Sequence, residues 1–461
     1  MIDYDILVLG GGPGGHSAAL KAAELGASVG LVERDAVGGA CVNYSCVPTE
    51  TLLSTVATYL DAQELSIFGV IEGTDTLAFG RATARAKTLV KQMVEGTAAA
   101  LKMAGVTVHS GRGTFTNPST IQVEGKTGDG KVSAESVVIA TGSRWDVPEI
   151  GGISTDRIVT PDVVQRLTVA PASALVLDDG PGHVGFGIEY AYLLAAAGGT
   201  VSLVTGRDAL FPSLDSVLRD VANQALSDSG VSVYEGASVS AEDGGVLRVS
   251  SVGTAATIEA DVIVAGDPRR PATEGIGLGE AGVEFGEAGI SVDPGCRTSV
   301  DGIFAVGDVT GLSMLSSTAA QMGEVAAINA TGGTAATRLG GIPRLLHTTP
   351  EIGWVGIGEE AARDQGYSVA AGTFDLSFNA RAVTLGARTG VVKVVAERQL
   401  GEILGVQVVG PGAAELLNLV ALAMQAEVSV HDLASLTAWH PTLSEGLVQA
   451  ARRAVRAFDS A

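Results

Sequence analysis

The sequence predicts an α/β chain in which two Rossmann-like dinucleotide-binding domains are followed by a C-terminal α+β unit. Three observations predict it. Ile6-Leu7-Val8-Leu9 runs straight into Gly10-Gly11-Gly12-Pro13-Gly14-Gly15 and then an alanine-rich helix that stops at Gly26. A strand, a glycine turn, a helix and a strand recur between Ala174 and Val204. Beyond Gly341 the pattern changes to short strands followed by helices.

Length and composition bound the rest. A chain of 461 residues suffices for two to four domains. Apolar residues make up 46% of it, enough for several cores, and 62 glycines suit a chain with many tight turns and close backbone approaches. The net charge of -22 argues against nucleic acid or an anionic membrane as a partner. Three cysteines are not a secreted disulfide framework. The N-terminal Met1-Ile2-Asp3-Tyr4-Asp5 lacks a basic segment, so no signal peptide is expected. No stretch of about 18 apolar residues is free of Gly, Pro and charge, so no membrane span is expected either. A cytoplasmic location follows as the expectation.

In the first unit, Gly10, Gly12 and Gly15 have the dinucleotide-fold spacing. The first makes the tight turn, the second lets a pyrophosphate approach, and the third packs helix on strand. A strand from Ser28 to Val32 ends in Glu33, an acid placed to bind a ribose hydroxyl pair. The stretch Gly38 to Thr49 follows, with Cys41 and Cys46 separated by four residues. That spacing fits neither a zinc knuckle nor a thioredoxin-type pair, and no metal site is expected. It allows a small closed loop if the Cα atoms approach to roughly 6 Å. Pro48 suits the first turn of a helix, which puts Cys46 at a helix N-terminus where the dipole favours a thiolate. Two unrelated buried cysteines would look the same in isolation; the flanking motifs weigh against that reading. Leu77 to Met103 reads as a long amphipathic helix, and Val106 to Gly142 as short strands closing in Ala140-Thr141-Gly142.

The second unit repeats the pattern with damage. Leu175-Val176-Leu177 is a strand, Ile188 to Ala197 a helix and Val201 to Val204 a strand. Asp178 and Asp179 precede the glycine turn, where two carboxylates would repel a pyrophosphate. Gly187 takes the third-glycine place and Val184 the second, and Thr205 stands where the first unit has an acid. Arg207 reads as a surface arginine, with a ribose phosphate as the alternative partner.

A strand from Asp261 to Gly266 leads into Asp267-Pro268-Arg269-Arg270-Pro271. Gly302 to Asp308 is a buried strand delivering Asp308 to a turn, where it can hold a ribityl hydroxyl, and a helix runs from Ser317 to Asn329. The last unit has strands near 353–356, 370–378, 390–396 and 403–409, and helices near 413–426, 430–434 and 444–458. Between the last two helices lies Trp439-His440-Pro441-Thr442-Leu443-Ser444-Glu445. A carboxylate near a histidine fixes its tautomer and raises its basicity, so His440 and Glu445 form a candidate general base. A capping histidine before a proline is the alternative.

Together these motifs resemble the flavoprotein disulfide reductases, the FAD-dependent pyridine nucleotide-disulfide oxidoreductase family of dihydrolipoyl dehydrogenase, mercuric reductase and mycothione reductase. The likeness spans essentially the whole chain. It implies an FAD-binding domain of residues 1–150 and 268–337, an NAD(P)H-binding-like domain of 151–267 and a C-terminal α+β dimerisation domain of 338–461. It also implies a homodimer whose active site is shared between subunits. Cys46 would then lie under the flavin, Cys41 would exchange with substrate sulfur, and His440 would be the acid/base oriented by Glu445. Gly10, Gly12, Pro13, Gly14, Gly15, Glu33, Arg34, Gly39, Ala40, Thr141, Gly142 and Asp308 would line FAD.

The departures from that pattern cluster. Glu50 stands where the family has a lysine near the flavin, and its expected partner is Glu189, so two carboxylates are expected to face each other and share a proton. The alternative is that Glu50 points away. Pro268 replaces a glycine, and Ala438-Trp439-His440 replaces His-Ala-His. NAD(P)H binding is therefore expected to be weak or lost. The expected activity is oxidation of a small-molecule or carrier-bound dithiol, with electrons passing through FAD to oxygen or another acceptor. An NAD(P)H-dependent disulfide reductase or dihydrolipoyl dehydrogenase-like enzyme is the alternative. A flavoprotein with chemistry unrelated to sulfur would not need Cys41, Cys46 and His440 together. Mercury reduction is disfavoured by the lack of a C-terminal cysteine pair, and Cys296 reads as a structural thiol.

Overall fold

The computed structural model describes residues 2–67, 69–70, 72, 76–125, 130–179, 185–241, 246–251, 254–266, 269–387 and 389–458. Residues 180–184, which include Val184 and most of the second glycine turn, lie outside them, as do residues 267–268 with Pro268.

The first sheet has strands β1 (Tyr4–Leu9), β2 (Val29–Glu33), β3 (Thr107–Ser110), β4 (Arg112–Asn117), β5 (Thr120–Glu124) and β6 (Gly130–Ile139). Their order is β3-β2-β1-β6-β5-β4, and strand Ile303–Ala305 adds to β6. The strands β3, β2, β1 and β6 and Ile303–Ala305 pair in parallel, whereas β4, β5 and the first half of β6 form an antiparallel meander. The run from Ile6 to Leu9 is buried on both faces, as a central parallel strand requires. Helix α1 (Pro13–Glu24) opens with Pro13, whose missing N–H costs nothing there. It lies against helix Ser316–Ala330 so closely that a side chain on Gly323 would strike the Gly14 carbonyl, at 2.1 Å.

The cysteine stretch folds as two helices. Helix α2 (Gly39–Asn43) carries Cys41, and α3 (Cys46–Ile67) begins at Cys46. The amides of Tyr44 and Ser45 both turn back to the Ala40 carbonyl at 2.9 Å, which ends α2 and sets the start of α3. Leu52, Leu53 and Val56 bury α3 in the largest core cluster, where α6 (Phe186–Ala196) and the C-terminal sheet also pack. Each such leucine contributes about 2 kcal/mol of burial, so α3 is fixed from two other units. Between these lie α4 (Phe79–Met103), close to the expected bounds, and the short α5 (Pro161–Val164).

The second sheet is parallel throughout, in the order Val231–Tyr234, Thr200–Val204, Ser173–Leu177, Val262–Ala265, Ile158–Val159. Helix α6 is the crossover between its strands Ser173–Leu177 and Thr200–Val204, so the Rossmann half-unit is repeated. The C-terminal sheet is antiparallel: Arg344–Leu346, Ile352–Gly356, Ile403–Val409, Val391–Glu397, Val369–Asp375. The expected strand near 370–378 stops at Asp375 because that carboxylate accepts from the Ser377 amide at 2.8 Å and starts a 3-10 turn.

Candidate active site

One cavity of about 410 Å³ gathers most of the residues singled out in the sequence. Gly10, Gly12, Pro13, Gly14, Glu33, Arg34, Gly39, Ala40, Thr141, Gly142 and Asp308 line it together with Cys41 and Cys46. Gly15 lies beneath the turn instead, facing the Gly10 carbonyl. Gly39 approaches Gly12 so closely that a Cβ there would stand 2.5 Å from the Gly12 Cα. The first turn of α1 has no side-chain cap, which leaves its amides for an anion. At one end Glu33 Oε2 accepts from the Gly11 amide at 2.7 Å and Oε1 from Asp35 at 2.8 Å. At the other, Asp308 accepts from Ser143 Oγ at 2.7 Å. An acid for a ribose, free amides for a pyrophosphate and an acid for a ribityl chain form a donor set that fits FAD.

The two thiols line this cavity, half-buried and not joined in a disulfide. Cys41 donates to Cys46, and this hydrogen bond is the largest influence lowering the Cys46 pKa to about 6 from an ordinary 9.0. Burial opposes the shift, while Ser45 at 3.7 Å, Ser316 at 3.9 Å and the Arg269 charge add to it. Cys41 is pushed strongly upward, first by the same hydrogen bond and then by burial. Cys46 is therefore the thiolate and Cys41 the neutral thiol. An acid whose folded pKa is depressed is ionised above that value, so the thiolate persists at neutral pH and is lost as pH falls through 6. The ultraviolet thiolate absorbance of the reduced, flavin-free protein, taken as a difference from C46S, is expected to titrate near pH 6. A midpoint at or above pH 8 would remove this assignment.

Sequence reading missed Arg269 and Ser316. Arg269 is buried, lies 5.3 Å over the Phe186 ring, and reaches Asp308 Oδ2 at 3.4 Å and the Met314 carbonyl at 3.3 Å. It belongs to the quoted Arg269-Arg270-Pro271 run, but nothing local marks which arginine turns inward. Strand pairing of Arg269–Pro271 with Ser143–Trp145 decides it.

Two expectations are corrected. Glu50 and Glu189 both contact His347, Glu50 through Nδ1 at 3.2 Å and Glu189 through the backbone amide at 2.9 Å. Glu50 does not point away; burial raises its pKa, with His347 opposing and Glu351 adding. Arg207 is not a free surface arginine, since its Nη2 lies 2.6 Å from Asp178 Oδ2. Asp178 is almost fully buried, packed against Gly187, where a Cβ would stand 2.4 Å from its Oδ1. Asp179 accepts from the Gly206 amide at 2.6 Å.

His440 and Glu445 are not brought to the cavity within one chain. The histidine side chain is 70% exposed on the C-terminal unit, with Nδ1 3.0 Å from Glu445 Oε1. Glu445 is held by the Thr442 amide and by His440, both lowering its pKa. Trp439 beside it is 82% exposed. Cys296 is buried in the first core, as expected of a structural thiol.

A second cavity of about 1100 Å³ opens at the C-terminal edge of the second sheet. Asp146, Glu149, Asp179 and Glu287 line it, against Arg270 and Arg344. Arg270 is already paired with Asp146 at 2.5 Å. No helix among the described residues is long and apolar enough to cross a membrane.

Residues 4–323 match the family described as pyridine nucleotide-disulphide oxidoreductase, and residues 342–451 match its dimerisation domain. A dihydrolipoyl dehydrogenase of Thermus scotoductus is 35% identical, covering 98% of this chain and 97% of its own length. That of Geobacillus stearothermophilus is 31% identical over the same shares. Among solved structures, LpdA of Mycobacterium tuberculosis superposes with a TM-score of 0.87 at 30% identity, over 97% of this chain and 99% of that one. The HOCl-induced flavoprotein disulfide reductase RclA of Escherichia coli, as its Cu(II) complex, does so with 0.85 at 25% identity, over 98% and 99%.

Proposed function

We infer that this chain, which belongs to the pyridine nucleotide-disulphide oxidoreductase family, oxidises a dithiol and does so without NAD(P)H. It is an FAD-dependent oxidoreductase acting on sulfur, and a dimerisation domain makes a homodimer the expected assembly. Residues 1–150 and 268–337 would hold FAD, 151–267 form the degenerate second unit, and 338–461 pair the subunits.

One observation carries the finer reading. The Asp178 carboxylate stands at the end of strand Ser173–Leu177, where a second dinucleotide would place its pyrophosphate, and it is locked to Arg207. A nucleotide would have to displace a buried ion pair and then face Asp178 and Asp179. Glu149 and Glu287, which also line the second cavity, add to the repulsion.

Thiol–disulfide exchange then runs in the oxidising direction. With Cys41 and Cys46 disulfide-bonded, a substrate thiolate attacks Cys41 Sγ, and Cys46 leaves with the bond's electron pair. A leaving thiol of pKa about 6 departs faster than an ordinary one. The second substrate thiolate attacks the mixed disulfide and releases Cys41. The partner subunit's His440, oriented by the partner subunit's Glu445, takes the proton of one substrate thiol, and the other proton ends on Cys41, which is released as the neutral thiol while Cys46 stays a thiolate. The chemistry that bound FAD supplies is two-electron transfer from the reduced cysteine pair to oxygen or another acceptor, with peroxide as the product from oxygen.

The test is an anaerobic titration of the FAD-loaded protein with NADH, NADPH and dihydrolipoamide in turn. The dithiol alone is expected to change the flavin's visible spectrum, and air to restore it with peroxide formed. A response to a nicotinamide within seconds would return the chain to the dehydrogenase activity of its relatives.

A further inference from the structure

The loop between the two cysteines is clamped from outside its own domain. Gln165 follows α5, and Tyr190 lies on α6. The Gln165 amide nitrogen donates to the Tyr44 carbonyl at 3.1 Å and to the Tyr190 hydroxyl at 2.6 Å, with Thr49 Oγ1 at 3.3 Å. The Tyr190 hydroxyl lies 3.1 Å from Thr49 Oγ1. Tyr190 is fully buried, and Gln165 and Thr49 nearly so. Tyr44 precedes Cys46 by two residues and Thr49 follows it by three, so the network grips the start of α3 on both sides of the thiolate.

We propose that Gln165 and Tyr190 are positioning residues of the Cys41–Cys46 pair, which fix the start of α3 so that the Cys41 thiol can donate to Cys46. The inference rests on Cys41 and Cys46 being the redox pair. A buried hydrogen-bond network of this kind is strong only while every member is satisfied. Deleting the tyrosine oxygen removes the shortest contact of the network and the Thr49 hydroxyl's partner at 3.1 Å, and leaves one Gln165 hydrogen only the longer contact to Thr49 Oγ1 at 3.3 Å. The first turn of α3 then shifts, and the thiol-to-thiolate hydrogen bond loosens. That bond stabilises only the reduced pair, so the reduced form is what the loss disfavours. The second α/β unit thereby gains a function that does not depend on a nucleotide.

The test equilibrates the anaerobic FAD-loaded protein with glutathione redox buffers and counts the Cys41–Cys46 disulfide by alkylation and mass spectrometry. Tyr190→Phe and Thr49→Val are each expected to move the equilibrium toward the disulfide by more than twofold. A tenfold movement corresponds to about 30 mV for this two-electron couple. Thr49→Ser keeps the hydroxyl and is expected to stay within twofold of the wild type. If Tyr190→Phe does not fold, the threonine pair decides. Either Tyr190→Phe or Thr49→Val within twofold of the wild type, or Thr49→Ser behaving like Thr49→Val, overturns the inference and leaves the network a purely structural contact. A wild type that forms no disulfide at any buffer ratio overturns the dithiol reading itself, a separate and recognisable failure.

Discussion

Replacing Cys46 by serine is expected to leave a folded, FAD-binding protein whose dithiol turnover has fallen by about 10³-fold or more. The substitution removes one sulfur from a half-buried site and disturbs little packing. The chemistry cannot survive it, because exchange needs two sulfurs to finish. A substrate thiol joined to Cys41 through an oxidised intermediate would have no internal thiolate to exchange with. The cysteine roles make the two single variants differ. With Cys46→Ser, an activated substrate disulfide should leave a stable mixed disulfide on Cys41, read directly as added mass. With Cys41→Ser, the hydroxyl can still donate to Cys46, so the low pKa is kept, but no second sulfur remains to exchange with substrate. Turnover should fall as far, without an adduct. Adduct formation on Cys46 in the Cys41→Ser protein would exchange the two roles. Undiminished turnover in either variant would mean that the chemistry does not involve sulfur.

The contrast between what was legible in the sequence and what was not follows from contact range. Gly10, Gly12, Glu33, Cys41 and Cys46 share one 37-residue stretch whose turns, strand and helix starts are set locally, and the spacing alone brought them to one groove. Asp308 was legible because a buried strand hands it to a turn. The residues that tune the site come from elsewhere. His347 reaches Glu189 across 158 positions, and Gln165 reaches Tyr44 across 121. No periodicity marks such partners. Glu50 and Glu189 are the instructive pair. The sequence correctly located a charge anomaly, but it offered no means of seeing that a histidine from the C-terminal sheet would lie against both acids. Arg207 was missed for the same reason, since Asp178 lies 29 positions upstream, just past strand Ser173–Leu177.

Gly15→Ala is expected to yield a protein that holds no FAD and has lost about 3 kcal/mol or more of stability, whereas Gly12→Ala should melt like the wild type and bind FAD at least about tenfold more weakly. The two glycines are three positions apart, and the difference is steric. A Cβ on Gly15 would stand 1.9 Å from the Gly10 carbonyl oxygen and 3.1 Å from the Ala140 Cβ. Both neighbours are fixed: Gly10 has φ +107 and turns the chain out of β1, and Ala140 continues β6 by donating its backbone N–H to the Leu9 carbonyl at 2.8 Å. No flexible side chain is available to yield, so α1 must lift from the sheet. Its contact with helix Ser316–Ala330, made through Gly14 and Gly323, would part with it. At Gly12 the backbone has φ -72, which alanine adopts freely, and the nearest atom to a new Cβ is the Gly39 Cα at 3.7 Å. That methyl group fits the fold but occupies the groove in which a pyrophosphate must approach the uncapped amides of α1. Thermal melting with and without added FAD separates the cases. Equal melting of Gly15→Ala and the wild type would mean that the first turn relaxes in a way its carbonyl geometry does not permit.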